Sequence, residues 1–318
     1  MTCTNGTGMS LQVKTTDSYT LRSDSLLILT ALIWGFAFVA QRVGMKFVGP
    51  FGFNGVRFAL GCCVLLPLLI RNGIRSEQPI DKSVIPYPSE IGGSLLAGLA
   101  LFAGASFQQM GMIYTTAGNA GFITGLYVVL VPIFGMFIGH RTNTGTWVGA
   151  LLAAVGLYLL SITAQFTVSF GDMLVLIGAV FWACHVHIIG WLSPRNNALK
   201  LAFVQNAACS VLSLIVAMIF EHNRMSNFIL AAVPILYGGI LSVGVAYTLQ
   251  VVAQKHARPA HAAIILSLEA VFAALGGWLI LDEILTPRAM AGCALMFCGM
   301  LASQLWTSRR KEIVRTRI

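Results

Sequence analysis

The chain of 318 residues is 57% hydrophobic and only 10% charged, with a net charge of +9. A soluble domain typically carries about 25% charged residues. So few charges do not cover a water-facing surface of this size, which excludes an ordinary soluble domain and leaves a polytopic membrane protein.

Residues 1–25 are polar, hold Lys14, Asp17, Arg22 and Asp24, and read as a short disordered tail. No small-residue cleavage site follows the first apolar run, and nine further runs come after it, so a cleaved signal peptide is not expected. A hydrocarbon core of about 30 Å needs roughly 20 helical residues per crossing. The apolar segments fall at about 26–46, 51–70, 91–113, 117–138, 145–163, 171–191, 199–220, 230–253, 259–281 and 287–306. The fold class is therefore an all-α integral membrane protein with ten transmembrane helices. The runs are unbroken rather than alternating, which excludes a transmembrane β-barrel.

Helix geometry selects candidate cavity-facing residues, because residues three, four and seven apart share a face. Trp34, Phe38 and Gln41 do so in the first segment, and Gln109 is the candidate of the third. Asn119, Ile123 and Tyr127 form a stripe in the fourth, Trp182 and His185 pair in the sixth, and Tyr247, Gln250 and Gln254 line up in the eighth. Polar groups in lipid need protein or a wet cavity to face. These faces converge on one central cavity, or they glue helices together by hydrogen bonds. Trp147, Trp191, Trp278 and Trp306 lie near segment ends and read as interfacial residues.

The ninth segment contains IILSLEAVFAALGG (264–277), apolar or small except at Glu269. Glu269 lies about ten residues, roughly 15 Å, from either end of its helix. A lone charge there costs about 3 kcal/mol or more, so the group is either protonated or faces water. It exchanges a proton or binds a cationic amine in the functional reading, and is a hydrogen-bonding strut in the structural one. Arg57 lies about two turns from the end of its segment, within reach of the interface by snorkelling.

Six of the seven cysteines fall inside apolar segments, where cysteine behaves as a small hydrophobe. His185 and His187, two residues apart, point about 200° away from each other on a helix and do not chelate together. No metal and no cofactor is expected. Without a GxxxxGK[ST] loop an ATP site is not expected either, and an intramembrane enzyme lacks a catalytic constellation. Gly121-x3-Gly125 and Gly145-x3-Gly149 are close-approach motifs, expected within the bundle, with a homodimer seam as the alternative. Pro67, Pro132 and Pro234 sit inside apolar segments and are expected to kink them.

The positive charge tracks topology rather than nucleic acid. With the N-terminus in the cytoplasm, fifteen Lys and Arg fall on cytoplasmic stretches and four (Arg42, Lys46, Arg224, Arg288) on the opposite side. The positive-inside rule then puts both termini in the cytoplasm, and the tail 307–318, containing RRKEIVRTR, lies basic against anionic lipid.

The chain repeats itself. Residues 139–160 match 282–303 with Gly149 over Gly292 and Gly156 over Gly299, and ALIWGFAFV matches GAVFWACHV with Trp34 over Trp182. Each unit, 26–163 and 171–306, has five segments, an odd number, so the second enters the membrane upside down. His140-Arg141 and Asp282-Glu283 give the same motif opposite charge on opposite faces. Inverted repeats of this kind mark secondary transporters, with the substrate near the bilayer midplane.

Four stretches, LIWGFAFVAQRVG (32–44), FQQMGMIYTTAGNAGFITGLYVVLVPIFG (107–135), ARPAHAAIILSLEAVFAALGGWLILDEILTP (257–287) and the glycine-spaced ends, resemble the drug/metabolite transporter superfamily, specifically two tandem EamA domains. The resemblance covers about 26–306. It implies a carrier in the inner or plasma membrane that moves small metabolites, often outward, through a cavity lined by helices one, three, four, six, eight and nine. Family members handle amino acids, amines, sugars, nucleotide sugars and drugs. Ala270 stands where the family often has proline, which weakens the case for a helix break beside Glu269, and His140 where it often has glutamate. Amino acids or amines are the expected cargo and Glu269 is the candidate for proton coupling. Multidrug or cation efflux by proton antiport and a non-transporting scaffold are the alternatives.

Overall fold

The structure is a computed structural model that describes residues 7–73, 90–139, 142–161 and 169–315. Helix follows helix along the chain: α1 (Thr7–Gly44), α2 (Pro50–Gly73), α3 (Glu90–Gly111), α4 (Ala117–Gly125), α5 (Tyr127–Phe137), α6 (Thr144–Ser161), α7 (Phe170–Leu192) and α8 (Ala198–Phe220). After these come α9 (Met225–Leu230), α10 (Ala232–Leu236), a π-helix (Tyr237–Ala246), α11 (Tyr247–Ala253), α12 (Pro259–Leu266), α13 (Glu269–Leu281) and α14 (Pro287–Arg315). No strand occurs among the described residues. Helix is what lipid requires, since each segment satisfies its own backbone.

Among the described residues eight stretches are long and apolar enough to cross a membrane, the first Leu21–Gly44 and the last Pro259–Leu281. The two other expected crossings, 145–163 and 287–306, are present as helices with shorter apolar stretches, Thr144–Leu159 and Pro287–Ser303. The first helix also begins earlier than its apolar run, at Thr7. Large apolar side chains such as Phe137, Met218 and Val233 are about four-fifths exposed (83%, 82% and 77%). Such a surface suits hydrocarbon and not water.

Lipid is as apolar as leucine, so helices associate through close packing of small residues rather than by escape from water. The seam between α6 and α14 shows this. A Cβ on Gly149 would stand 2.8 Å from the carbonyl oxygen of Gly299, and one on Gly156 2.6 Å from that of Gly292. Backbone thus meets backbone at two levels, and the order of the pairs makes the two helices antiparallel. Gly121 meets Ala273 and Ala270, and Gly145 meets Trp306, so both GxxxG motifs are used inside the bundle.

Polar ties at the helix ends fix which ends lie together. At one end Arg42 Nη1 donates to the Met112 and Ile113 carbonyls at 2.6 and 3.1 Å, and Thr115 donates to Asp172 at 2.7 Å. Glu221 accepts from the Phe51 and Gly52 N–H groups at 2.8 Å each, an anion capping the start of α2. Glu283 accepts from the Ala117 and Gly118 N–H groups and lies near Arg42. At the end of α1 away from Arg42, His261 bridges Asp24 at 3.0 Å and Ser303 at 3.1 Å. His140 and Arg141 lie outside the described residues.

Two outcomes test this packing. Gly149→Val or Gly156→Val should destabilise the detergent-solubilised protein by on the order of 1–3 kcal/mol, because a carbonyl and not a flexible side chain blocks the new Cβ. Leu151→Ala on the exposed face of the same helix should change its thermal midpoint little. Glu283, outside the spans, is held above the usual carboxylate range chiefly by burial, with the two N–H donors and Arg42 pulling the other way. A raised acid binds more protons folded than unfolded, so its contribution is present below the ordinary carboxylate pKa and is lost as pH rises through the raised one. Thermal midpoints should therefore fall with pH across that window, and Glu283→Gln should flatten the fall.

Candidate functional site

Two helices break side by side in the middle of the bundle. The segment starting at Ala117 is interrupted at Leu126, and the one starting at Pro259 at Leu268, the same number of residues in. The two leucines share φ −60° and ψ −14°. The Leu126 N–H turns back to Ile123 at 3.2 Å and the Leu268 N–H to Ile265 at 3.1 Å, three residues rather than four. Ser267 Oγ takes up the Ile264 carbonyl at 2.8 Å. The break beside Glu269 thus forms without the proline that the sequence lacks, because tightened turns and a hydroxyl satisfy the freed groups.

Each break opens a new helix with a polar residue in its first position: Tyr127 in α5 and Glu269 in α13. The phenol and the carboxyl interact across the gap. Tyr127 Oη and one oxygen, Glu269 Oε1, nevertheless lack a fully formed hydrogen bond. Gly35 lets α1 lie directly on the break, since a Cβ there would stand 2.7 Å from the Glu269 carbonyl oxygen.

The third irregularity is the π-helix. Its wider turn follows Pro234 and offers carbonyls to neighbouring side chains. Trp34 Nε1 donates to the Ser242 carbonyl at 3.2 Å, and Tyr237 Oη donates to the Ile33 carbonyl at 3.0 Å. Tyr247, just beyond the π-helix, packs on Trp34 with ring centres 4.7 Å apart and on Trp182 at 6.3 Å.

These features enclose a cavity. Its walls include Trp34, Phe38 and Gln41 of α1, Tyr127 of α5, Trp182 of α7, Tyr247 and Gln250 of α11, and Glu269 of α13. The space open to water centres is about 30 Å³, room for roughly two waters, so this conformation is contracted around the site. Gln108 is the hub of one wall. Its amide donates to Gln41 Oε1 at 3.0 Å, and its oxygen accepts from Trp182 Nε1 at 2.8 Å. Thr124 approaches the same oxygen at 3.5 Å.

Three expected contacts lie elsewhere. Gln109 is fully buried but does not line the cavity; its neighbour Gln108 does. Asn119 sits in the first turn of α4, its backbone N–H capped by Thr116 at 3.1 Å, at the rim where Glu283 docks. His185 stands behind the wall, bonded to Gln205 at 2.9 Å, with its ring edge-on to Trp182 and Tyr247. His187 faces another way, to the Val131 carbonyl at 2.7 Å.

Arg57 is the contact that sequence reading misplaced. It does not snorkel: it is 2% exposed and lines the cavity. Its guanidinium carbon lies over the rings of Phe53 at 5.5 Å and Phe58 at 5.1 Å. Among the described residues it has no ion pair, and its Nε has no hydrogen-bond partner.

The sequence profile of the EamA-like transporter family matches residues 21–162 and 169–303. The chain belongs to that family. An uncharacterized transporter of Archaeoglobus fulgidus is 35% identical over 90% of this chain and 86% of its own length. The uncharacterized transporter YoaV of Bacillus subtilis is 27% identical over 90% of this chain and 97% of its own. A probable terminal-alkyne amino-acid exporter of Streptantibioticus cattleyicolor is 24% identical over 90% of this chain and 95% of its own. A solved crystal structure superposes with a TM-score of 0.72 over 92% of this chain and 98% of that one, at 19% identity, which shows the shared fold. The protein is thus a multi-pass membrane transporter and not an enzyme. Its cargo is a small molecule, and its surroundings are the bilayer.

The Gln108 hub carries a prediction of its own. Gln108→Leu keeps the volume of the side chain roughly but leaves Gln41 and Trp182 without their shared partner. Each orphaned buried group costs about 1–3 kcal/mol, so the thermal midpoint should drop. Gln109→Leu, whose two side-chain polar atoms already lack partners, should hold or raise it.

Proposed function

We propose that the protein is a secondary carrier that exports small metabolites of the amino-acid or amine class across the cell membrane by alternating access. The observation that carries this reading is the cavity itself. Its walls come from both halves of the chain, and it sits where the two helix breaks face each other. Broken helices around a polar centre are where membrane carriers hold their cargo.

Ten crossings in two inverted repeats, 26–163 and 171–306, are part of the proposal. The matched breaks at Leu126 and Leu268 support it, as does the reciprocal glycine seam between α6 and α14. Glu283 docks at the start of α4, at the far end of the α4–α5 pair from Ile138. That separation supports opposite faces for the chain after Ile138 and the turn at Asp282, and the basic charge supports cytoplasmic termini. The amino-acid exporter among the relatives and the ring walls of Trp34, Trp182 and Tyr247 favour a cargo with an amine beside an apolar body.

Glu269 is proposed as the proton-coupling group. A proton-antiporting exporter of bulky cations is the competing reading, and the same rings and Glu269 suit it. Arg57 in the same wall opposes it, because a cation gains nothing beside a buried guanidinium.

The test is to compare exported metabolites of cells with and without the protein, then to follow the enriched compound in liposomes. Compound-specific exchange is expected, driven by a pH gradient in the wild type and indifferent to the gradient in Glu269→Gln. A mutant flux that still follows the gradient removes the coupling role. No enriched compound and no exchange removes the carrier reading in favour of a scaffold.

A further inference from the structure

We infer that the cavity is a receptor for a zwitterion, in which Arg57 takes the carboxylate of an amino-acid cargo while Glu269 takes its ammonium group. The inference rests on the carrier reading and narrows the cargo to molecules bearing both charges.

The argument begins with Arg57. Five N–H donors in a fixed fork need acceptors, and the two rings that flank the guanidinium supply only cation–π attraction. A charged side chain buried inside a membrane span is costly, and such charges normally pair with one another or with carbonyls. Among the described residues Arg57 forms neither kind of pair. A strut would be partnered; a receptor is not until its ligand comes. The guanidinium fork matches a carboxylate bidentately, which an ammonium at the same place would not.

Glu269 lies in the wall of the same cavity but is not paired with Arg57. Tyr247 lines the same cavity within electrostatic reach of both. Two opposite charges held apart in one apolar chamber are each costly alone, and one molecule carrying the complementary pair relieves both. A simple amine relieves only Glu269 and a simple acid only Arg57. The rings of Trp34, Trp182 and Phe38 offer the apolar side chain its wall. The contracted volume of about 30 Å³ means that binding requires the chamber to widen, which the two breaks allow.

The experiment uses full-length protein in liposomes and three probes of one shape: L-leucine, 3-methylbutylamine, which lacks the carboxylate, and 4-methylpentanoate, which lacks the amine. Wild type should exchange leucine roughly 10- to 100-fold faster than either relative, the worth of one hydrogen bond to a charged group. Arg57→Gln should bring the leucine-to-amine ratio to about one, and Glu269→Gln the leucine-to-acid ratio, while Arg57→Lys, which keeps the charge but not the fork, should fall between. A thermal midpoint of Arg57→Gln at or above that of wild type would confirm that the loss is not misfolding, as expected when an unpaired buried charge is removed. Wild type that moves the amine as fast as leucine, or Arg57→Gln that keeps the preference, overturns the zwitterion site and leaves the carrier reading standing. Failure of wild type to move any of the three also overturns it, and the metabolite comparison then decides the carrier reading separately.

Discussion

Two helix backbones are interrupted next to each other, and hydrocarbon offers nothing to the groups that such an interruption frees. That constraint orders much of the molecule. Helices α1, α6 and α7 pack around the breaks at Leu126 and Leu268, and α1 comes close because residue 35 has no side chain. In return each tightened turn sets a polar residue at the cavity. Tyr127 and Glu269 occupy the two helix starts. The π-helix does the same service on the opposite wall, where its loosened turn gives Trp34 a carbonyl to hold and so fixes the ring beside Tyr247.

The chamber that results is electrically unusual. One wall is a satisfied network, Gln41 to Gln108 to Trp182, and it is rigid for that reason. In the same cavity are Arg57, without a counter-ion among the described residues, and a carboxyl whose one oxygen lacks a partner. Stable proteins pair such groups internally, and the energetic penalty of leaving them bare is shared by the packing of the entire bundle. Transport supplies a reason to carry it, since a binding site already satisfied by its own residues has nothing left to offer a cargo.

Much of this was legible in the residues, for physical reasons. Length of apolar run maps directly onto bilayer thickness, so the eight long apolar stretches are visible, and faces of Trp, Tyr and Gln at helical spacing locate most of the cavity wall. Glu269 stood out because an acid in lipid has no bland environment. The misses share a cause as well. Helical spacing assumes an unbroken helix, and the Asn119 stripe loses its register with the cavity at Leu126. Gln108 and Gln109 are adjacent, and only the rotation of α3, set by its packing on α7 and α8, selects between them. The distance of Arg57 from its helix end permits snorkelling, yet the rings of Phe53 and Phe58 hold it inward. The break beside Glu269 had no proline to announce it.

The glycine seam has an implication of its own. Gly149 rests on Gly299 and Gly156 on Gly292, and each of these partners is the counterpart of the other glycine in the internal duplication. A surface with that reciprocity is its own mirror partner: the face that α6 presents is the face it needs to receive. Gly149 and Gly299 each place a bare carbonyl where the other would carry a Cβ, so neither helix of the seam accepts a side chain without moving its partner.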